Sequence, residues 1–165
     1  MPDRDGPLLL HLLRHAHAGD PETWPGPDDL RPLSKRGRRQ AERLGAFLAE
    51  HDIRPDVIVS SPKVRAQQTA DRIAEALGLR VELDHRLGSG YDLGQLEDIV
   101  LASGGDAPML VGHDPDLSFA LARLVGGAGL TMRKGALATL EVRQPFRTGG
   151  ATLRWLLPPD LLEEH

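Results

Sequence analysis

Short apolar runs alternate along the chain with longer stretches in which apolar residues recur every three or four positions. The first run, residues 8–13, is almost wholly apolar, which is typical of a strand buried on both faces of a parallel sheet. This alternation predicts an α/β fold in which a mostly parallel sheet carries helices on both faces. Strands are predicted over residues 8–13, 56–60, 81–83 and 108–111, followed by a terminal pair over 137–142 and 152–157 with turn residues between them.

Helices are predicted between these strands from their end signals. Ser34 suits the N-cap of a helix that runs to about residue 51. Ser61 and Pro62 suit the N-cap and the first position of a second helix, which Gly78 ends. The other two predicted helices are a weaker one around Leu96, Ile99 and Val100 that ends at 104–105, and one capped by Asp114 that starts at Pro115 and ends at 126–127.

The length of 165 residues fits one domain with a core over about residues 8–157, and the chain shows no internal repeat or linker. The run 8–13 is interrupted by His11 and is far shorter than the ~20 residues that a membrane-spanning helix needs. The polar start, residues 1–7, lacks the basic-then-apolar order of a signal peptide. We therefore expect a cytoplasmic protein that does not enter a membrane.

Charge and cysteine content exclude several classes of function. The formal net charge of −4 disfavours nonspecific binding to nucleic acid or anionic lipid, although positive charge can still be concentrated in one place. The chain has no cysteine, which excludes disulfides, thiolate nucleophiles, cysteine zinc sites and iron–sulfur clusters. Any nucleophile has to be another residue type.

Basic side chains follow three of the predicted strands where each strand ends. Arg14 and His15 follow the first strand, Arg65 comes shortly after the second, and His113 follows the fourth. Ligands of open α/β sheets bind at the carboxyl ends of the strands, so these residues are expected to converge on one anion. The set favours a phosphoryl group, because a guanidinium offers a planar fork of donors to two phosphate oxygens and keeps its charge.

His15 is the candidate nucleophile of this set. In-line attack requires a neutral imidazole, and neighbouring arginines favour that form because they disfavour the imidazolium. Arg14 and Arg65 would hold the transferred group from two sides, while His113 donates a third hydrogen bond. The expected product is a phosphohistidine that water then splits, so neither a metal nor another cofactor is expected.

Taken singly, the same residues also have ordinary structural interpretations. Arg65 alone would be a solvated helix residue, and His113 alone a packed imidazole in a tight turn. The coincidence of three strand ends favours the functional interpretation. A further alternative is a phosphoprotein-binding module that holds the phosphoryl group without turning it over.

A metal-dependent hydrolase is another alternative. His15 and His17 form a His-x-His pair, which on a strand would direct both rings the same way, and Asp114 could serve as a further ligand. The adjacent Arg14 disfavours a bound cation, and Asp114 is already explained as a helix cap. We therefore expect no metal site here.

Several segments together resemble the motifs of the histidine phosphatase superfamily. Residues 13–16 (LRHA) are similar to its RHG motif and residues 61–69 (SPKVRAQQT) to its SPxxRAxQT segment. Residues 111–115 (VGHDP) are similar to its GHxP segment, and residues 31–37 (RPLSKRG) to its RPLTxxG stretch. The order and spacing agree over about residues 8–157. The short chain without a large insertion resembles most the compact SixA branch, the phosphohistidine phosphatases.

The resemblance implies a sheet of the phosphoglycerate mutase type flanked by helices, without a large cap insertion. It implies His15 as the nucleophile and Arg14, Arg65 and His113 as the phosphate pocket. It also implies that Arg31 is a further phosphate or substrate contact. The implied partner is a phosphohistidine-bearing protein, such as a member of a phosphorelay; the oligomeric state is left open.

Two departures from the family pattern bear on the substrate. Ala16 replaces the glycine of the RHG motif, a small change unless the backbone there needs a positive φ. No glutamate follows the third strand, where many members carry a general acid, and Asp84 and Asp92 are the nearest substitutes. A phosphohistidine substrate fits this gap, because imidazole is a far less basic leaving group than an alkoxide. The alternative is a small phosphate ester, such as a sugar phosphate, in the same pocket.

Overall fold

The structure is a computed structural model that describes residues 6–163. The predicted lack of a signal peptide concerns residues 1–7, which lie partly outside the described residues. Its strands are β1 (Leu8–Arg14), β2 (Val57–Ser60), β3 (Val81–Leu83), β4 (Pro108–Gly112), β5 (Leu137–Val142) and β6 (Ala151–Leu157). Its α-helices are α1 (Lys35–Glu50), α2 (Val64–Leu77), α3 (Leu93–Ser103) and α4 (Asp116–Val125). Short 3-10 helices cover Asp28–Leu30, His85–Gly88 and Pro159–Leu162.

The strands form one sheet in the order β3-β2-β4-β1-β5-β6. The first four strands of this order are parallel to one another, while β5 is antiparallel to β1 and β6 is antiparallel to β5. The predicted α/β fold with a mostly parallel sheet is confirmed. In register, Arg14 of β1 lies opposite Gly112 of β4, and Ser60 of β2 lies opposite Val111 of β4. The carboxyl ends of β1, β2 and β4 therefore meet at one edge.

Side chains of β1 alternate between two hydrophobic cores, which explains why the whole run is apolar. Leu10 and Leu12 pack in the core that α3 and α4 complete, and Leu13 packs in the core that α1 and α2 complete. The polar exception, His11, is buried and places its Nδ1 2.8 Å from the Oγ1 of Thr139. Burial on both faces fixes the position of β1, and with it the residues that follow.

The predicted helix ends at Ser34, Gly78, Gly104 and Gly126 are confirmed. The hydroxyl of Ser34 accepts the N–H of Gly37 at the start of α1. Gly78 ends α2 with a φ of 69°, a left-handed conformation that glycine adopts without strain. Among residues 6–163, no helix has the length and the apolar composition that crossing a membrane would require.

Two predicted helix starts are wrong. The second helix begins at Val64 rather than at Pro62, because the Ser61 hydroxyl accepts the N–H of Lys63 in a turn that precedes the helix. The fourth helix begins at Asp116 rather than at Pro115. Asp114 still acts as a cap there, since its carboxylate accepts the N–H of the fourth residue after it.

Candidate active site

The predicted site residues lie at the sheet edge where β1, β2 and β4 end. The His15 N–H donates to the Gly112 carbonyl at 3.0 Å, and the Ser61 N–H donates to the Val111 carbonyl at 2.9 Å. The rings of His15 and His113 have centroids 5.2 Å apart. The structure thus brings the three segments together. Four of the five predicted residues are buried, with 5% of His15, 6% of His113, 6% of Arg65 and 8% of Arg31 exposed, and Arg14 is half-buried.

The His15 ring is held in the form that nucleophilic attack requires. Its Nδ1 lies 2.8 Å from the Ala16 carbonyl oxygen, which can only accept, so Nδ1 carries the proton. The lone pair of the neutral ring is therefore on Nε2. The pKa of His15 is lowered to about 3, mainly by burial; the charges of Arg65 and Arg14 act in the same direction, and the hydrogen bond to Ala16 opposes them. The ring is neutral at any ordinary working pH.

His113 is a second neutral imidazole beside the first. Burial is the main reason that its pKa is lowered to about 3, and the neighbouring His15 and Arg65 act in the same direction. Its Nε2 lies 2.7 Å from the Ser61 hydroxyl oxygen. That hydroxyl already accepts the N–H of Lys63, so its own proton is free to be donated to Nε2. In this arrangement the remaining ring proton of His113 is on Nδ1.

Arg14 is anchored on one side of His15 by the segment between α4 and β5. One terminal nitrogen donates to the Met132 carbonyl at 2.8 Å and lies 3.5 Å from a carboxylate oxygen of Asp114. These two acceptors fix the plane of the guanidinium. Since a planar donor fork binds two phosphate oxygens only in the correct orientation, this anchoring matters for any phosphoryl ligand.

Arg65 and Arg31 share one carboxylate, that of Asp28. Two terminal nitrogens of Arg65 donate to the carbonyl and the carboxylate of Asp28, at 2.9 and 3.1 Å. Arg31 donates its Nε to the other carboxylate oxygen at 3.0 Å and a terminal nitrogen to the Gly19 carbonyl at 2.6 Å. Hydrogen bonding from Arg31, together with the charge of Arg65, lowers the pKa of Asp28. The 18–31 loop therefore positions Arg65, although sequence reasoning did not single out Asp28.

Three buried nitrogens around His15 have no hydrogen-bond partner in the described part of the chain: Arg14 Nε, Arg65 Nε and His113 Nδ1. Buried donors in folded proteins are almost always paired. Donors of this kind, next to the free lone pair of His15, suit a tetrahedral oxyanion. The arrangement can present a phosphorus atom to His15 while holding its oxygens.

Lys134 is a further residue of the site that sequence reasoning missed, because it belongs to no motif and lies between α4 and β5. The next residue, Gly135, donates its N–H to the carbonyls of both Arg14 and His15 at 3.1 and 2.9 Å. The ammonium is close enough for its charge to lower the pKa of His15. Lys134 therefore contributes to the positive potential at His15.

Residues 10–100 match the model of the histidine phosphatase superfamily (branch 1), which is more than half of the 165 residues. The matched range contains the carboxyl end of β1 and the whole of the segment that carries Arg65. The chain belongs to the histidine phosphatase superfamily. The predicted family resemblance is confirmed.

Two named relatives match this superfamily member over very different lengths. The serine/threonine-protein phosphatase Pgam5 of Drosophila melanogaster is 44% identical over 55 residues, which is 33% of this chain and 19% of that protein. The chain thus spans about a fifth of the Pgam5 relatives that it matches. The phosphohistidine phosphatase SixA of Escherichia coli is 23% identical over 158 residues, covering 92% of this chain and 94% of SixA.

Solved structures share the fold over almost the whole chain. A SixA crystal structure from Agrobacterium tumefaciens superposes with a TM-score of 0.79 and 28% identity, covering 93% of this chain and 99% of that one. An Escherichia coli structure described as an alpha-ribazole-5'-P phosphatase has a TM-score of 0.70 and 20% identity, covering 92% of this chain and 97% of that one. The second likeness shows the fold alone. Within the histidine phosphatase superfamily, the chain is of the SixA type.

Other motif residues of this superfamily member connect the segments of the site. The hydroxyl of Thr69 accepts the N–H of Ala16 at 3.1 Å and donates to the Arg65 carbonyl at 2.8 Å. The side-chain oxygen of Gln68 accepts the N–H of Leu33 at 2.8 Å. The SPxxRAxQT segment thus holds the turn at His15 and Ala16 and the 31–37 stretch in place, in addition to supplying Arg65.

The two departures from the family pattern have structural explanations. Ala16 is fully buried, and Asp52 is the one non-glycine residue within 6–163 that has a positive φ, so alanine is not strained at position 16. Asp84 is bound to Arg86, and that hydrogen bond lowers the pKa of its carboxyl, which disfavours an acid role. Asp92 caps α3 by accepting the N–H of Gln95. Neither aspartate is placed as a proton donor.

The arrangement that a metal centre at His15 and His17 would need is not formed. β1 ends at Arg14, so the two histidines are not on a strand, and the His17 Nδ1 lies 2.6 Å from the Ser34 hydroxyl. The Asp114 carboxylate is engaged by the backbone and hydroxyl of α4. Across residues 6–163, no three His, Asp or Glu side chains are grouped so that they could hold a metal ion.

Proposed function

We propose that this protein is a metal-independent phosphohistidine phosphatase that acts on a phosphohistidine-bearing protein through a covalent intermediate at His15. The observation that carries the proposal is the neutral His15 ring with its lone pair on Nε2, beside buried nitrogens of Arg14, Arg65 and His113 that have no acceptor within residues 6–163. Membership of the superfamily and the full-length likeness to SixA support the same activity.

In the first step, Nε2 of His15 attacks phosphorus and forms a P–N bond. The bond between phosphorus and the leaving nitrogen breaks, and its electron pair remains on the departing imidazole of the substrate. Arg14 and Arg65 bind the equatorial oxygens, and His113 donates a hydrogen bond from Nδ1. The neutral form of His15 means that no proton has to be removed before attack.

In the second step, water attacks the phosphorus of phosphorylated His15. A P–O bond forms, the P–N bond breaks with its electron pair returning to Nε2, and the proton of the water passes to solvent. Inorganic phosphate leaves and the neutral imidazole is restored. The same donors stabilise both steps, because the charge on the transferred group is similar in each.

Within residues 6–163, the binding of Asp84 to Arg86 and the capping of α3 by Asp92 favour a phosphohistidine substrate over an alkyl ester. Asp84, bound to Arg86, has a lowered pKa, which makes it a poor proton donor. Departure of an alkoxide benefits from such a donor, whereas departure of imidazole depends on one far less. A small phosphate ester remains the second candidate, because the site's donors recognise the phosphoryl group itself and the alpha-ribazole-5'-P phosphatase has this fold.

Replacing His15 with asparagine tests the proposal. We expect turnover of a phosphohistidine peptide to fall by at least about a thousandfold, because the covalent intermediate cannot form. Circular dichroism should show an unchanged fold. The matched control is His51→Gln, which removes an exposed histidine at the end of α1 and should leave turnover unchanged.

Labelled substrate and a substrate panel complete the test. The wild-type protein should carry acid-labile phosphate after rapid quenching, and H15N should carry none. Phosphohistidine should be hydrolysed faster than alkyl phosphates, and a chelator should not change the rate. Full activity of H15N would refute the nucleophile, faster alkyl ester hydrolysis would favour the second candidate, and activity restored by zinc or manganese would refute metal independence.

A further inference from the structure

A second cleft, of about 270 Å³, adjoins the proposed phosphoryl site. Arg14 belongs to both the cleft and the phosphoryl site, since it lines the cleft and lies next to His15 in the chain. The cleft is bounded by the α1 start, the α4–β5 segment and the last 3-10 helix. Its lining residues are Arg14, His17, Arg36, Gln40, Arg133, Lys134, Pro159 and Asp160.

Among residues 6–163, Lys134 is the cation of this cleft that has no carboxylate partner. Arg133 pairs with Asp160 at 2.8 Å and Arg36 pairs with Glu163 at 3.6 Å. None of the ion pairs within residues 6–163 includes Lys134. Partial burial and the charges of surrounding arginines lower its pKa, which means that an anion placed here would relieve repulsion.

The backbone holds Lys134 rigidly beside the nucleophile. Gly135 donates to the carbonyls of Arg14 and His15, and its φ of 83° is a conformation that favours glycine. A side chain at this position would contact Pro159 at 3.4 Å, so the loop packs directly on the last 3-10 helix. The position of the Lys134 backbone relative to His15 is therefore set by main-chain contacts.

A comparable cleft on the opposite side of the site lacks this feature. It has a volume of about 300 Å³ and includes Lys63. The Lys63 ammonium is 3.8 Å from a carboxylate oxygen of Asp29, which also lines that cleft. A second anion in that cleft would meet a lysine that is already paired with a carboxylate. At Lys134 it would meet a lysine that no carboxylate within residues 6–163 pairs with.

We propose that the Lys134 cleft binds a second anionic group of the substrate, next to the phosphoryl group that is transferred. The inference rests on the proposed function in that it places the first phosphoryl group at His15. The shared chemistry is a carboxylate or phosphate bound by the Lys134 ammonium. Its source is either an acidic side chain near the phosphohistidine of a protein or a second phosphate of a small molecule.

Binding of two non-hydrolysable anions to the full chain tests the cleft independently of turnover. Calorimetry should show that methylenebisphosphonate binds more tightly than methylphosphonate. In Lys134→Gln the ratio of their dissociation constants should fall by about fivefold. The matched control is Arg80→Gln, an exposed cation before β3 at the opposite edge of the sheet, which should keep the wild-type ratio. An unchanged ratio in K134Q would overturn the inference.

Turnover of matched substrates then identifies the source of the anion. One pair is a phosphohistidine peptide with glutamate or glutamine beside the modified residue, and the other is an alkyl phosphate with or without a second phosphate. A wild-type preference for the extra anion that K134Q loses supports the protein source in the first pair and the small-molecule source in the second. If K134Q keeps the wild-type preference in both pairs, that result contradicts the proposed role of the cleft. If the wild-type protein turns over none of these substrates, the proposed function fails, while the binding ratio still decides the inference.

Discussion

At the scale of single residues, the site depends on polar partners as much as on the residues expected to touch phosphate. The Ser61 hydroxyl lies 2.7 Å from Nε2 of His113 and thereby sets which ring nitrogen of that residue faces the site with a proton. Thr69 gives the buried N–H of Ala16 its acceptor. Such partners act through orientation, because a donor that is free to rotate loses most of its value in an oxyanion site.

Replacing Ser61 with alanine should separate this positioning role from stability. We expect kcat for phosphohistidine peptide to fall by about tenfold, because His113 loses the partner that orients its ring. The free energy of unfolding should fall by only about 1 kcal/mol, the usual cost of one hydrogen bond. Steady-state kinetics and urea unfolding measure the two effects.

The neighbouring hydroxyl supplies the control for this substitution. Ser60 is equally buried, but its hydroxyl donates to the Ser61 carbonyl and not to a histidine. Ser60→Ala should therefore retain a kcat near the wild-type value. Equal losses of kcat in S60A and S61A would contradict the role assigned to the Ser61 hydroxyl.

At the scale of elements, the start of α1 is fixed against the segment that follows His15. The Ser34 N–H and hydroxyl both donate to the His17 carbonyl, at 3.0 and 3.1 Å. Gly37, three residues later, approaches the same carbonyl so closely that a Cβ would lie 1.8 Å from its oxygen. The RPLSKRG stretch thus packs the start of α1 against the site.

Replacing Gly37 with alanine should disrupt that packing. We expect the free energy of unfolding to fall by about 2 to 3 kcal/mol, because a backbone atom has to move to remove the clash. Turnover should also fall, since the displaced carbonyl belongs to the segment after His15. Thermal unfolding and steady-state kinetics measure the two losses.

Gly19→Ala is the matched control within the same connection. A Cβ at Gly19 would meet no atom within 4 Å, and its backbone has no positive φ. We expect its stability and turnover to match those of the wild-type protein. A fully stable and active G37A would show that the close approach of α1 is not required.

At the scale of the whole molecule, three buried histidines couple folding to pH. Burial lowers the pKa of His11 to about 4 and the pKa values of His15 and His113 to about 3. In the unfolded chain all three would titrate near 6.5. Between these limits the unfolded state binds more protons than the folded state, so stability increases with pH.

The free energy of unfolding should therefore be at its plateau above about pH 6.5 and should fall as the pH decreases toward 4. Each histidine contributes a slope of up to about 1.4 kcal/mol per pH unit in this window. Asp28 and Asp84, whose pKa values are lowered, add to the loss only below about pH 4. Urea unfolding across pH 4 to 8 measures the curve.

A variant of His11 checks the assignment, because this residue is buried away from the proposed chemistry and bonded to Thr139. The slope of unfolding free energy against pH is set by how many more protons the unfolded state binds than the folded state. His11→Gln should reduce this number by about one between about pH 5 and 6, whatever its effect on stability at neutral pH. Stability that does not change between pH 4.5 and 6.5 would contradict the depressed pKa values.

The order of elements, the α/β class and the three strand ends are determined by the sequence itself. Apolar runs such as 8–13 reflect burial on both faces of the sheet, and local capping signals such as Ser34 and Gly78 act within one turn. The positions of His15, Arg65 and His113 could be inferred because ligand sites in parallel sheets follow strand ends. These signals need no knowledge of distant contacts.

Only the tertiary structure revealed the partners of those residues. The Ser61 hydroxyl looked like a helix cap, since that local signal cannot show that His113, 52 positions away, bonds to it. Asp28 joins Arg31 and Arg65, and the charge of Lys134 acts on His15 from a loop that carries no motif. Hydrogen bonds and charge interactions between distant segments depend on how the layers pack, and periodicity along the chain carries no record of that packing.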